Sequence, residues 1–129
     1  MNNPHKGRTG LRRILHATRY SLAGFRAAYR GESAFRQEVW ICGPAALLAP
    51  WVGSGWVEAV LLAGSALLVL IVELLNSSLE SAIDRISFDL HELSKRAKDM
   101  ASAAVFLSLV FFAGVWLSQI GARLFEHVR

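Results

Sequence analysis

Five polar side chains punctuate an apolar stretch of the sequence: Glu73, Asn76, Ser77, Glu80 and Asp84. Their offsets from Glu73 put all of them on one face of a helix. Glu73 follows a run without charge, Ala59 to Val72, that is only 14 residues long. A helix begun at Ala59 rises about 21 Å before it reaches Glu73. In a hydrocarbon core ~30 Å thick, that leaves the carboxylate about 9 Å inside one boundary, with Glu80 near the boundary itself. An acid at the bilayer centre costs about 2.5–3.5 kcal/mol, and Glu73, being shallower, costs less. Ionisable groups inside a membrane mark functional sites. A partly desolvated carboxylate suits proton abstraction. Glu80 and Asp84, shallower and acidic, suit a hard cation such as Mg²⁺, which takes a few carboxylates together with phosphate oxygens. A deep base beside a shallow metal site fits one reaction well: transfer of a phosphoryl group from a water-soluble donor to a hydroxyl held at the membrane boundary. Such chemistry is mostly positioning and charge neutralisation. Two other readings share these residues. The polar stripe could hold helices together, or it could line a cation path.

The elements that must position this face follow from the charge-free runs. The chain has 129 residues, of which 53% are hydrophobic and only 19% charged, with a formal net charge of +4. Mean hydropathy is +0.36. Too few charges are present to cover a small water-soluble domain, and a disordered tail or a second domain is excluded on the same grounds. Val39 to Val57 is 19 residues without charge and Met100 to Ala122 is 23. About 20 apolar residues cross a bilayer. The expected architecture is therefore all-α and membrane-integral, a single domain over 1–129. Three transmembrane helices are expected, at about 36–52, 58–86 and 97–122. The first should end near Trp51, with Gly53-Ser54-Gly55 as a tight turn. In the third, Phe106, Phe111, Phe112 and Trp116 are expected to face lipid or neighbouring helices. A loop is expected over 84–99. Lys and Arg bias puts the N-terminus and that loop in the cytoplasm, and the Gly53–Glu58 turn and the C-terminus outside.

The positive charge is local. Residues 1–38 carry eight basic side chains against Glu32 and Glu38, a balance of +6, while the remainder of the chain carries −2. Leu11, Ile14, Leu15, Thr18, Leu22, Phe25 and Tyr29 recur at helical spacing and form one stripe, flanked by Arg8, Arg12, Arg19, Arg26 and Arg30. This predicts an amphipathic surface helix over about 8–30, lying in the interface with its arginines toward anionic headgroups. A targeting signal is not expected, because no uninterrupted apolar run closely follows Arg8. Nucleic acid is not expected as a partner, because no aromatic-interleaved basic platform accompanies the charge. No phosphate-cradling glycine loop ending in Lys-Ser/Thr is present, nor a protein-kinase motif set. Cys42 is the only cysteine, so no intrachain disulfide forms. Taken alone, the segment 89–99 reads as a solvated loop leading into a helix, and His91 as structural.

Three segments together are specific. Residues 73–85 (ELLNSSLESAIDR), 91–105 (HELSKRAKDMASAAV) and 31–38 (GESAFRQE) closely resemble the prokaryotic diacylglycerol kinase family, and the resemblance runs from about Thr9 to Trp116. It implies a homotrimeric helix bundle in the bacterial cytoplasmic (inner) membrane. Each subunit would have three transmembrane helices and a surface helix, with sites shared between subunits. It implies phosphorylation of diacylglycerol by ATP to give phosphatidate; a related branch prefers undecaprenol. Position by position, Glu73 resembles the proton acceptor, with Asn76 beside it, and Glu32 and Glu80 the carboxylates that hold Mg²⁺ on ATP. Arg13, Tyr20, Asp89, His91, Lys98 and Asp99 resemble further ATP contacts. Arg13 with Ser21, Arg26, Ala34, Gln37, Glu38, Trp51, Glu73, Ser102 and Trp116 resemble the lipid-substrate side. Ser87, Asp89 and Lys95 depart from the family's usual glycine, glutamate and glycine. The residues themselves had not singled out Glu32, which reads as a helix cap or surface charge.

Overall fold

The computed structural model describes residues 10–87, 89 and 91–128. Four helices follow one another: α1 (Leu11–Gly31), α2 (Ser33–Val52), α3 (Trp56–Ile86) and α4 (Glu92–Val128). Residues 8 and 9 of the expected surface helix lie outside the described residues. α3 and α4 are long and apolar enough to cross a membrane. At 1.5 Å per residue α3 is about 46 Å long, well beyond a ~30 Å hydrocarbon core. Upright in such a layer, α3 would extend beyond it.

The helices pack as a three-helix sheaf with α1 lying lightly across one end. α3 is central and packs against both α2 and α4, whereas α1 makes limited contact with α2 and α3. Small side chains allow α2 and α3 to approach closely. Cys42, Ala66 and Val69 form the buried centre, with Ala45, Ala46, Leu70 and Phe112 packed around it. Phe35, Ala49 and Leu62 are also buried. α2 runs through Pro44 and Pro50 and ends at Val52, so the turn at 53–55 stands where the glycines indicate.

One expectation changes. α3 ends at Ile86 as expected, but the loop expected over 84–99 shrinks because α4 begins at Glu92. Charged side chains do not by themselves make a loop: Lys95 and Lys98 are good helix formers outside the membrane. Phe112 and Trp116 face neighbouring helices, one of the two surroundings expected for them. Phe112 packs on the α2–α3 core, and the Trp116 indole N–H donates to the Leu62 carbonyl of α3 at 3.2 Å. Much of α4 is open: Phe106, Leu107, Leu117 and Leu124 are exposed.

At the far end from the carboxylates, α4 clamps the α2–α3 turn. Arg123 Nη2 donates to the Gly53 carbonyl at 2.9 Å. Glu58 Oε2 accepts from the Ser54 amide at 2.7 Å and from Gln119 Nε2 at 2.9 Å. A Cβ on Gly53 would lie 2.7 Å from the Ala59 amide nitrogen, whereas one on Gly55 would meet nothing within 4 Å. Gly53→Ala should therefore cost about 1–3 kcal/mol by forcing backbone apart, and Gly55→Ala should be near neutral. Thermal unfolding in mild detergent, followed by circular dichroism, checks both. Equal midpoints for the two variants would refute the close approach.

Candidate functional site

α3 carries Glu73, Asn76, Ser77, Glu80 and Asp84, and its polar face turns inward over its second half. Glu73 is 4% exposed and Ser77 8%, and Asn76 and Glu80 are half-buried. The side chains packed on this helix are largely apolar above Glu73, so the carboxylate sits at the lower edge of a dry contact. Two helices bring further acids to it. Glu38, half-buried on α2, is within electrostatic reach of Glu73. Glu32 and Glu80 are likewise within electrostatic reach. Four carboxylates from three parts of the chain are thus electrostatically coupled, one on α2, two on α3 and one at the junction of α1 and α2.

Among the described residues the ion pairs are Lys95–Asp99 and Lys98–Asp84, each at 2.6 Å; neither includes Glu32, Glu38, Glu73 or Glu80. Lys98 is within electrostatic reach of Glu80. Glu38 Oε2 and Asn76 Oδ1 are buried with no hydrogen-bond partner. Buried acceptors without donors are costly, so the arrangement fits an arriving cation or donor. No three side chains of metal-ligating type converge among the described residues. Glu32 and Glu80 therefore fit a hard cation that brings other oxygens with it, as Mg²⁺ on a nucleotide does, and not a resident ion. Asp84, the other carboxylate that spacing offers a cation, is paired with Lys98 at 2.6 Å.

Two clefts flank this centre. One, of about 750 Å³, lies between α1 and α3. Its walls are mainly apolar or small, with Phe25, Ala28 and Leu74 among them, and its polar groups are Ser21, Glu32, Ser77, Ser78 and Ser81. The second, of about 440 Å³, lies where α3 hands over to α4 and is lined by Asp84, Ser87, Asp89, His91, Lys95, Lys98 and Asp99. The handover is held by local bonds. The Ser87 hydroxyl donates to Asp89 Oδ2 at 3.1 Å and accepts from the Asp89 amide at 2.9 Å. His91 Nδ1 accepts the Leu93 amide at 3.2 Å and so caps α4. The three positions that depart from the family pattern thus share one cleft, and two of them bond to each other.

The structure brings together some of the residues singled out from sequence and not others. Glu32, Glu38 and Glu80 lie within electrostatic reach of Glu73, Asn76 is about one turn from it on α3, and Ser21 lines the adjoining cleft. Asp89, His91, Lys98 and Asp99 gather in the second. Arg13, Tyr20 and Arg26 are exposed on α1, and Ala34, Gln37 and Ser102 are exposed on α2 and α4. Trp51 is 74% exposed near the end of α2 remote from the acids. Trp116 bonds to a carbonyl roughly 16 Å along α3 from Glu73. Ser78 and Ser81, which line the larger cleft, were missed; their sequence signal was the serine enrichment of the face that carries Glu73.

A helical protein with two membrane-length helices and a set of coupled carboxylates defines a class: a small integral-membrane protein with acid-rich chemistry at the membrane boundary. The model of the family described as prokaryotic diacylglycerol kinase matches residues 19–120. The chain is 53% identical over 117 residues to the diacylglycerol kinase of Pseudomonas aeruginosa, covering 88% of this chain and 93% of that one. It is 44% identical over 111 residues to the diacylglycerol kinase of Haemophilus influenzae, covering 84% and 92%. It is 46% identical over 108 residues to that of Escherichia coli, covering 84% and 88%. The chain belongs to the prokaryotic diacylglycerol kinase family, and it is a membrane protein.

Trp116 tests the local geometry. Trp116→Phe keeps the ring and deletes the interhelical hydrogen bond, so it should lower stability by about 0.6–1 kcal/mol. Chaotrope unfolding in mixed micelles measures this, and an unchanged midpoint would remove the bond from the account.

Proposed function

We propose that this chain is a diacylglycerol kinase: it transfers the γ-phosphoryl group of ATP to the hydroxyl of 1,2-diacylglycerol, giving phosphatidate at the cytoplasmic face of the bacterial inner membrane. The observation that carries the reading is the buried Glu73 carboxylate, with Glu32, Glu38 and Glu80 within electrostatic reach of it and no ion pair to it among the described residues.

In this reading Glu73 takes the proton of the lipid hydroxyl as its oxygen attacks phosphorus in line. The bond to the leaving ADP oxygen breaks as the new one forms, so the carboxylate holds a proton and never the phosphoryl group. Glu32 and Glu80 hold Mg²⁺, which when bound neutralises charge on the phosphates. Asn76 orients the reacting groups. Lys98 and Asp99, with Arg13, Tyr20, Asp89 and His91, contact the nucleotide. Lys98 must leave Asp84 to meet a phosphate, and the pair is exposed enough for that exchange to be cheap. The lipid lies on the side of Ser21, Arg26, Ala34, Gln37, Glu38, Trp51, Ser102 and Trp116, with Arg13 reaching both substrates.

The membrane arrangement belongs to the same proposal. α1 lies in the interface, and α2, α3 and α4 cross as three spans of one domain. The N-terminus is cytoplasmic and the C-terminus periplasmic. α4 leaves most of its apolar surface uncovered within one chain, and Glu73 is close to an open cleft. Both are consistent with a homotrimer in which neighbouring copies complete each site. Undecaprenol is the alternative acceptor, because the apolar cleft walls would serve either lipid.

Purified protein in mixed micelles, incubated with labelled ATP, Mg²⁺ and either diacylglycerol or undecaprenol, should label phosphatidate. Label in undecaprenyl phosphate alone would reassign the acceptor. Glu73→Gln should lower the rate at least about 100-fold, the scale of a lost general base, with helix content and oligomer size unchanged. A Glu73→Gln variant within threefold of the parent would remove Glu73 from the base role.

A further inference from the structure

We infer that Arg36 is the positioning residue that aims Glu32, and the inference rests on the reading of Glu32 as a metal-holding carboxylate. Glu32 is the single residue between α1 and α2. Its backbone is extended, at φ −109° and ψ 118°, so two helices change direction across one peptide unit. Nothing in that conformation alone determines where the Glu32 side chain is delivered; the angle between the helices does.

Arg36 spans the corner. Its Nη1 donates to the Tyr29 carbonyl at 3.0 Å and to the Arg30 carbonyl at 3.1 Å. These carbonyls belong to the last turn of α1, where a helix has no donors of its own left to satisfy them. A guanidinium there also meets the negative end of the helix dipole. The backbone supplies the other half of the closure. The Glu32 amide donates to the Ala28 carbonyl at 2.8 Å, and the Arg36 amide donates to the Glu32 carbonyl at 3.3 Å. Glu32 therefore sits inside a ring that runs from α1 through its own backbone to α2 and returns through the Arg36 side chain. Two further contacts hold the same corner. The Trp40 indole donates to the Tyr29 hydroxyl at 3.1 Å, and the buried Phe35 ring packs 6.5 Å from Phe25.

The geometry separates two roles. Phe35 and the Tyr29–Trp40 bond keep the helices in contact, which is a stability function. Arg36 ties the carbonyls that flank Glu32, which sets the direction of one carboxylate. Removing the guanidinium should leave the helices packed while letting Glu32 wander from its place in the cleft between α1 and α3.

Mn²⁺ is the probe. Its binding to the full chain in micelles, with a non-hydrolysable ATP analogue present, is read from the loss of the free-ion paramagnetic signal. Helix content is checked first for each variant. Arg36→Met should weaken Mn²⁺ binding roughly tenfold, the scale of losing charge-assisted bonds to two carbonyls, and Arg36→Lys should recover part of that. Tyr29→Phe keeps the Tyr29 carbonyl and should bind within twofold of the parent. Metal-free binding of the analogue should be unchanged in Arg36→Met. If Arg36→Met binds Mn²⁺ as the parent does while Glu32→Gln is weakened, the positioning role is wrong and the metal reading survives. If Glu32→Gln binds as the parent does, the metal reading itself is wrong. Equal weakening in Tyr29→Phe, or loss of metal-free nucleotide binding in Arg36→Met, would also overturn the inference, the first in favour of general corner stability and the second in favour of direct contact.

Discussion

The structure depends on a conflict between burial and charge at Glu73. An apolar helix pair is stable where it excludes water, and a carboxylate is stable where water or a cation reaches it. α3 satisfies both demands by position along its length. Above Glu73 its inner face is Leu62, Ser65, Ala66 and Val69, all buried. At Glu73 the face turns polar, and Asn76, Ser77, Glu80 and Asp84 continue it. The carboxylate therefore stands at the last place where the environment is dry and the first where a charged ligand can arrive. Reagents that cannot meet in one solvent, a lipid hydroxyl and a nucleotide phosphate, can meet there.

The other helices are arranged around that point. α2 contributes Glu38 and packs through small residues, so it lies close enough for its acid to interact with Glu73. The short junction with α1 brings Glu32, and the corner is tight because only that one residue is non-helical. α4 adds Lys98 and Asp99 from its first turns and holds the opposite turn through Gln119 and Arg123. Its clamp fixes the register of the α2–α3 pair from the end away from the chemistry. The same rigid sheaf thus positions groups from three elements without needing a long loop, and the described links between helices are short.

Much of this was legible in the residues. The stripe from Glu73 to Asp84 could be placed on one face by spacing, and its depth could be counted from Ala59, because helical rise and bilayer thickness are nearly constant. The glycine turn after α2 could be read because glycine and proline act locally. What could not be read were partners distant in sequence. The ion pair of Asp84 could not be read, because its partner, Lys98, lies on another helix. Whether Trp116 meets lipid or a neighbouring helix could not be read either, because its partner is a backbone carbonyl, which periodicity does not reveal. Glu32 had no local signature, since a single acid between two helical segments is indistinguishable from a cap until the corner is folded. The family resemblance reached Glu32 where spacing did not, and Arg36 came from neither; only the hydrogen bonds of the corner single it out.

The central claim is that the buried carboxylate moves a proton and that phosphorus passes directly from nucleotide to lipid. A carboxylate in this place could instead carry the phosphoryl group on its own oxygen, in two displacements. The stereochemical course at phosphorus separates the two most directly. With ATP made chiral at its γ-phosphorus by oxygen isotopes, a single in-line transfer to diacylglycerol predicts phosphatidate of inverted configuration. Phosphatidate of retained configuration would mean two displacements, and would contradict the role given to Glu73.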